Sequence, residues 1–290
     1  MPQYANILIS VVFDGLAFAM ILFLISVGLS ITMGLMGFIN LAHGAFAMVG
    51  GYLFVMFVTT WGIPFLLGVV LAFIAVALIS IVFERTLYAR FYYSGELEQV
   101  LLTIGLVFIA IAVCTFAWGS ANVKINVPSY LSGQIDLGFR SFPTYRTFLI
   151  VAGFLLMAGL WYGIERTNIG AQIRAAVDNR RMAQSLGIDV DRLFTLTFGL
   201  GSGIAAIGGG LGVNVLGLTP VYALEYLIYF LIVVAVGGLG SLRGAFVAAL
   251  VLGVIDNAGK YFLPHFGAFF IITLTIIILL WRPQGFYGRR

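Results

Sequence analysis

Long apolar stretches alternate with short polar segments along almost the whole chain. A helix of about 20 apolar residues crosses the roughly 30 Å hydrocarbon core of a bilayer. The apolar runs are continuous and lack the alternation of a membrane β-barrel strand. The pattern predicts about eight or nine spanning or partly spanning helices, at 8–32, 36–58, 64–84, 99–118, 147–164, 193–212, 222–238, 244–259 and 266–281.

Composition supports this pattern and excludes a soluble fold. The chain is 62% hydrophobic and 9% charged, whereas soluble domains are about 45–50% apolar and about 25% charged. No stretch is polar enough for a separate soluble domain, so residues 1–290 are predicted to form one all-α transmembrane domain. The 36 glycines favour close helix packing, because small residues let membrane helices approach each other.

The charges predict how the chain is oriented in the membrane. When loops are assigned alternately to the two sides, the segments at 85–98, 165–192, 239–243 and from Arg282 onward fall together and hold most of the basic residues. The positive-inside rule places these segments in the cytoplasm and the N-terminus outside. The cytoplasmic group is Arg85, Arg90, Arg166, Arg174, Arg180, Arg181, Arg192, Arg243, Arg282, Arg289 and Arg290, and the outer group is Lys124, Arg140, Arg146 and Lys260.

Two polar loops are long enough to have structure of their own. The outer loop, 119–146, is predicted to form either a small hairpin or a plain connector, from its turn residues and short apolar stretches: Pro128, Ser129, Gly133, Gln134, Ile135, Asp136, Leu137 and Gly138. The inner loop, 165–192, is the most polar region of the chain. It is predicted to be a docking surface for a cytoplasmic partner.

Within the inner loop, Ile169 to Leu186 is predicted to form one short helix that Gly187 ends. This helix either docks into a partner or rests on anionic lipid through its arginines. Its apolar face is Ile173, Ala176, Val177, Ala183 and Leu186, and its polar face is Arg174, Asp178, Arg180 and Arg181.

Catalytic and metal-binding motifs are absent from the sequence. It has no phosphate-binding loop, no H-E-x-x-H zinc pair and no G-x-S-x-G turn. His43 and His265 lie far apart, and the single cysteine, Cys114, lies in an apolar run. We therefore expect no enzyme, no metal site, no cofactor and no nucleic-acid partner. A pathway for a solute remains, with energy supplied from outside this chain.

Ionisable and polar residues within spans are the candidates for a pathway, because they usually face a bundle interior or a water-filled cavity. Asp14, Glu225 and Asp256 lie toward the outer ends of their spans, where they either form an acidic vestibule or are ordinary interfacial residues.

The segment around Asn40 is a second candidate. If it is helical, Asn40 and Gly44 share a face beside His43, and a helix interruption there would free backbone groups for a solute. The alternative is that Asn40 caps the helix and His43 bonds a carbonyl group of a neighbouring helix.

Four strings resemble the LivH/LivM family of ABC permeases, and the resemblance to the LivH type covers essentially the whole chain. They are GLMGFINLAHGAFAMVGGY (34–52), IGAQIRAAVDNRRMAQSLGIDVDRLFTLTF (169–198), AVGGLGSLRGAFVAALVLG (235–253) and RPQGFYG (282–288). The resemblance implies the ABC importer permease fold and import of branched-chain amino acids, or of small solutes such as urea or amides. Its implied partners are a LivM-like permease, two cytoplasmic ATPases (LivG/LivF-like) that bind ATP and Mg²⁺, and a periplasmic binding protein.

The resemblance also implies a coupling helix that contacts the ATPases. Relatives carry a Glu-Ala-Ala-x-x-x-Gly pattern, and this chain retains only the second Ala and the Gly of it. The residues implied in coupling are Arg174, Asp178, Arg181, Met182, Ala183, Gly187, Ile188 and Asp189. The residues expected along the pathway are Asn40, His43, Gly44, Phe46, Glu225 and Asp256. The expected location is the bacterial inner membrane. The alternative function is a self-sufficient secondary transporter or channel for small polar solutes such as urea or amides.

Overall fold

The computed structural model describes residues 3–38, 40–92, 94–136, 138 and 140–288. Leu137 of the outer loop and the terminal Arg289 and Arg290 therefore lie outside the described residues. The helices are α1 Gln3–Met36, α2 His43–Val55, α3 Phe65–Thr86, α4 Glu96–Trp118, α5 Thr144–Arg166, α6 Asn168–Asp178, α7 Arg180–Ser185, α8 Val190–Leu216, α9 Tyr222–Glu225, α10 Leu227–Gly237, α11 Leu242–Phe262 and α12 Gly267–Trp281. A π-helix, Met56–Thr60, extends α2, and short 3-10 helices cover Tyr88–Phe91 and Pro264–Phe266.

The prediction of an all-α polytopic membrane fold is confirmed. Among the described residues, seven helices are long and apolar enough to cross a membrane. The two remaining predicted spans, 222–238 and 266–281, correspond to the shorter apolar helices Tyr222–Gly237 and Phe269–Trp281. The first of these is divided at Tyr226 into α9 and α10.

Helix α8 lies at the centre of the bundle and has the largest buried share of the seven long helices. Glycines bring its backbone against its neighbours. A Cβ atom at Gly28 of α1 would lie 2.3 Å from the carbonyl oxygen of Gly201, and one at Gly209 would lie 1.9 Å from that of Ala47 in α2. These contacts leave no room for a side chain, as is common between membrane helices.

The predicted span at 36–58 begins too early. Helix α1 ends at Met36, Gly37 follows with φ of +61°, and α2 begins only at His43. Positive φ is a conformation that glycine adopts readily, so Gly37 turns the chain out of the helix. The expectation that Asn40 and Gly44 share a helical face is therefore wrong, whereas the helix interruption is present.

The single helix predicted for 169–186 is two helices, α6 and α7. Asn179 separates them with an extended backbone (φ −155°, ψ 98°), and its side chain caps α7 by accepting a hydrogen bond from the backbone N–H of Met182. An Asn side chain forms hydrogen bonds with nearby backbone N–H groups, so it favours the N-cap of a helix over its interior. Leu186, predicted on the apolar face, is 74% exposed.

The hairpin alternative for the outer loop is confirmed. Strand β1 (Gln134–Asp136) pairs antiparallel with β2 (Ser141–Pro143), with Ile135 opposite Phe142. The side chain of Arg140, between the strands, donates a hydrogen bond to the carbonyl group of Asn6 in α1, at 2.7 Å. The hairpin and the N-terminal end of α1 therefore lie at the same end of the bundle.

The basic segments that were assigned to one side lie together at the other end. Gly240 contacts both Gly34, near the end of α1, and Val177 of α6. The C-terminal segment joins the same surface, since the N–H of Phe286 donates to the carbonyl of Val236. The 85–98 segment lies there too, since the ring of Tyr92 packs against that of Phe194 near the start of α8. The fold therefore groups these loops as the alternating assignment predicted.

Candidate translocation and coupling sites

Helix α2 begins deep inside the bundle, against α1. His43 Nε2 lies 2.9 Å from the carbonyl oxygen of Ile25. Ile25 precedes the end of α1 by 11 residues, which is about 16 Å of helix, roughly half of the hydrocarbon thickness. His43 is therefore hydrogen-bonded to a carbonyl group of a neighbouring helix, which is the second of the two alternatives that the sequence left open for it. Its other ring nitrogen, Nδ1, has no hydrogen-bond partner among the described residues.

Asn40 holds the interrupted segment to the loop that follows α3. Its Oδ1 accepts hydrogen bonds from the N–H of Ala42 and from the hydroxyl of Tyr88, both at 3.1 Å. Asn40 and Tyr88 are both buried. The geometry assigns Asn40 a structural contact, and its place on the pathway stays a prediction.

Removing this contact is expected to destabilise the protein. We expect Asn40→Ala to lower the free energy of unfolding by about 2 kcal/mol, because it leaves the buried Tyr88 hydroxyl without a partner. Tyr88→Phe should cost less, and the double variant should cost less than the sum of the two. A double-mutant cycle of denaturation in detergent measures this coupling, and strict additivity would contradict the contact.

Gly44 packs against α9, the short helix that carries Glu225. Glu225 therefore lies level with the deep start of α2 and not at the outer end of the bundle, where the sequence predicted it. A Cβ atom at Gly44 would lie 3.0 Å from the carbonyl oxygen of Ala223, two residues before Glu225. Glu225 is exposed, and no hydrogen bond or ion pair of its carboxylate exists within the described part of the chain. It lies on an exposed and otherwise apolar face, here called the α9 stripe, which consists of Val221, Leu224, Glu225 and Ile228.

The other two acids of the predicted vestibule are neutralised by basic neighbours. Asp14 forms an ion pair with Arg146 of α5. Asp256, 1% exposed, is paired with Lys260 one turn later at 2.6 Å, and the ammonium group also lies over the rings of Phe18 and Tyr229. Only Glu225 is left as an unpaired carboxylate of the three, so the charge of any vestibule rests on it.

Phe46 lies on the side of α2 that faces α3 and α4. Its ring packs edge-on against Phe198, and it lines an apolar crevice of about 360 Å³ between α2, α3 and α4. These contacts do not test the assignment of Phe46 to the pathway, which stays a prediction.

The inner loop, hereafter the coupling loop (165–192), is fastened to the membrane helices by α6. Thr167 caps α6 by accepting a hydrogen bond from the N–H of Gly170, and the guanidinium of Arg174 donates to the carbonyl of Ile164 at the end of α5. On the opposite side, the apolar residues of the loop join a cluster with the ends of α1 and α8: Leu35, Ala176, Ala183, Val190, Leu193 and Phe194. Asp178, the last residue of α6, is exposed.

Helix α7 presents its outer face to the surroundings. Met182 is 60% and Leu186 74% exposed, and Arg181 is exposed beside them, while Ala183 is buried against the cluster. Gly187 ends α7 with φ of +83°, confirming the predicted helix stop. The N–H groups of Gly187 and Ile188 bond the carbonyls of Gln184 and Ala183, which is the Schellman arrangement.

The coupling loop is joined directly to the start of α8. Asp189 caps α8 by accepting a hydrogen bond from the N–H of Arg192. Arg180 forms an ion pair with Asp191 at 3.2 Å, and its guanidinium lies over the ring of Phe194. A displacement of α7 would therefore be transmitted to α8, which contacts α1, α2 and α3.

A buried carboxylate at the end of α3 was missed by the sequence reasoning. Glu84 is 2% exposed and accepts hydrogen bonds from the hydroxyls of Tyr92 and of Thr195 in α8, the latter at 2.8 Å. Burial and the contact with Glu84 raise the pKa of the Tyr92 phenol above its usual range. The sequence did carry a signal, because Glu84 is an acidic residue in the last turn of an apolar run. The charged Arg85 beside it made this position resemble the start of a polar loop.

No group of three or more His, Cys, Asp or Glu residues that could hold a metal ion occurs in the described ranges. Cys114 is buried in α4, and His265 lies in the short helix before α12. The described side chains therefore present no assembled metal-binding cluster.

Comparisons with known proteins agree with these features. The chain is similar to the high-affinity branched-chain amino acid transport system permease protein LivH of Escherichia coli K12, with 28% identity over 96% of this chain and 94% of LivH. It is 29% identical to BraD of Pseudomonas aeruginosa, which carries the same description, over 100% of this chain and 98% of BraD. A probable LivH of Methanocaldococcus jannaschii is 26% identical over 92% and 89%. No solved structure matches the chain significantly.

The family assignment rests on a match to nearly the full chain. The sequence model of the family described as branched-chain amino acid transport system, permease component, matches residues 11–280. This range includes α1 from residue 11 onward, the other six long apolar helices, the coupling loop and the α9 stripe. The chain therefore belongs to the family of permease components of branched-chain amino acid transport systems, and it is a multi-pass helical membrane protein.

Proposed function

We propose that this chain forms half of the translocation pathway of an ATP-driven importer of branched-chain or similar small hydrophobic amino acids in a bacterial inner membrane. A LivM-like permease would supply the other half, two cytoplasmic ATPases the energy, and a periplasmic binding protein the solute. The N-terminus and the loop at 119–146 would face the periplasm, and the coupling loop and C-terminus the cytoplasm. This chain itself would bind no cofactor.

The α9 stripe supports a second permease subunit. A carboxylate facing lipid near the bilayer centre is costly, so membrane-embedded acids normally face protein or water. Glu225 follows Ala223, which lies against Gly44 at the deep start of α2. A partner subunit or a water-filled path beside the stripe would remove the cost. An acid at this depth also suits the ammonium group of an amino acid.

The exposed face of α7 is the observation that carries the coupling proposal. Met182 lies on a short helix at the polar end of the bundle, and Leu186 directly follows that helix. Both are large, exposed apolar residues that a groove on an ATPase would cover. The basic loops around this helix favour its cytoplasmic location. Movement of the ATPases would then shift α7 and, through Arg180 and Asp191, the start of α8. Such coupling requires ATP to favour one state of the pathway over the other.

Changing this face should separate ATP hydrolysis from transport. In proteoliposomes with the complete transporter and its binding protein, we expect Met182→Asp with Leu186→Asp to reduce leucine uptake at least tenfold, while ATPase activity persists. A desolvated apolar contact at an interface centre is typically worth more than about 1 kcal/mol, and a charge there costs more.

The matched control is Ile169→Asp, which alters a 53% exposed residue of the same loop at the start of α6. This variant should transport normally. Normal coupled uptake in the double variant would reject α7 as the motor contact. Uptake by vesicles that lack the ATPases would reject the importer itself.

A further inference from the structure

The end of α5 carries a basic and aromatic recess that includes none of the residues assigned above to coupling or to the pathway. Of the seven long helices, α5 has the smallest buried share, so most of its surface is available to lipid or to other subunits. The recess has a volume of about 570 Å³. We call it the α5 recess, and its lining residues are Ala158, Trp161, Tyr162, Glu165, Arg166 and Arg243.

The charges of the α5 recess favour an anion. Arg243 forms an ion pair with Glu165 at 3.1 Å, and its guanidinium lies over the ring of Trp161. No ion pair of Arg166 exists among the residues that the structure describes, and its side chain is exposed. One acid thus faces two guanidinium groups, and a net positive charge is left in the recess.

The position of the recess is that of a lipid headgroup. Trp161 and Tyr162 lie one turn before the end of α5 and are 47% and 68% exposed. Tryptophan and tyrosine concentrate at the level of headgroups at a membrane surface. The basic loops at this end of the bundle make it the cytoplasmic surface in the proposed orientation.

An apolar column leads from the recess into the hydrocarbon region. Along the same side of α5, Leu155 is 68% and Val151 51% exposed. With Ala158 and Tyr162 they follow the spacing i, i+4, i+7, i+11, which places them on one face of a helix. A free anion would make no contact with this apolar column, whereas the acyl chain of a phospholipid would lie along it.

We propose that the α5 recess binds one anionic phospholipid, with its phosphate between Arg166 and Arg243, its headgroup edge at Trp161 and Tyr162, and one acyl chain along the column above. Basic pockets between membrane helices near the cytoplasmic surface bind anionic headgroups in this way. The lipid would fasten the end of α5 to the start of α11, the two helices that carry these arginines. It would thereby hold the first residues of the coupling loop at a fixed depth.

The test uses the complete transporter, purified in detergent and stripped of lipid. It is titrated with phosphatidylglycerol, and native mass spectrometry measures the affinity of the tightest-bound lipid. Each arginine near an anionic membrane surface is worth about fivefold in affinity. We therefore expect Arg166→Gln, which keeps the pair between Arg243 and Glu165, to weaken binding about fivefold. Adding Arg243→Gln should weaken it about 25-fold in total. Arg85→Gln with Arg90→Gln, an exposed pair in another basic loop, is the matched control and should bind normally.

A second measurement locates the lipid. Phosphatidylglycerol with brominated chains should quench a tryptophan signal that Trp161→Phe removes, and brominated phosphatidylcholine should quench it less. Equal lipid affinity in the wild type and Arg166→Gln would overturn the proposal. It would also be overturned if glycerol phosphate or inorganic phosphate bound as tightly as the lipid, or if Trp161 were not quenched because another subunit covers the recess.

Discussion

Gly209→Ala is expected to lower the free energy of unfolding by about 3 kcal/mol, at the upper end of the usual cost of overpacking. The added methyl group would lie 1.9 Å from the carbonyl oxygen of Ala47. That atom belongs to the backbone of α2 and cannot rotate away, so the two helices must separate. Their separation would loosen the contact between α2 and the central α8 over several turns.

Denaturation of the purified protein in detergent measures this effect, with Gly105→Ala as the control. Gly105 lies in α4, and a Cβ atom there would meet nothing within 4 Å. This variant should be as stable as the wild type or slightly more so, because alanine favours a helix over glycine by about 1 kcal/mol. Equal stability of Gly209→Ala and Gly105→Ala would contradict the close approach of α2 and α8.

Lys260→Met should destabilise the protein by about 3 kcal/mol. Asp256 is 1% exposed, and its carboxylate is paired with the Lys260 ammonium at 2.6 Å. Removing one partner of a buried ion pair leaves an uncompensated buried charge, at a cost of about 3–5 kcal/mol. We expect the lower end of this range, because the lysine side chain is itself half exposed.

The double variant Asp256→Asn with Lys260→Met separates loss of the charge pair from loss of packing. It should recover most of the stability, since no buried charge is left unpaired. Lys260→Met also removes an ammonium group from above the rings of Phe18 and Tyr229, and this part should not be recovered. A double variant as unstable as Lys260→Met alone would show that packing, not charge, holds this end of α11.

The parts of the fold that follow from local pattern were predictable. The nine apolar segments, the hairpin at 134–143 and the helix stop at Gly187 each depend on a run of neighbouring residues. The break before His43 was placed wrongly because Phe38, Leu41 and Ala42 are as apolar as a helix would require. The position of the break is set by Gly37 and by the buried contact between Asn40 and Tyr88. Tyr88 lies 48 residues from Asn40 in the sequence.

The candidate site was predictable only in its residue types. The sequence identified Asp14, Glu225 and Asp256 as acids within membrane spans, but it offered the same two alternatives for all three, an acidic vestibule or an interfacial position. Their partners distinguish them, because Asp14 bonds a residue of α5 while Glu225 has no ion pair in the described part of the chain. Glu84 was overlooked for the same reason, since its hydroxyl partners include Thr195, 111 residues away.

Taken alone, the amino-acid order determined that this chain is a helical membrane protein, which end of it is basic, and which loop is polar enough to meet a partner. These properties follow from transfer of side chains and backbone groups into lipid, a cost that is summed over neighbouring residues. Tertiary structure alone decided which charges are neutralised, where α2 begins and which face of α7 is exposed. Each of these depends on contacts between residues far apart in sequence, whose energies are set by distance and burial and leave no periodic pattern along the chain.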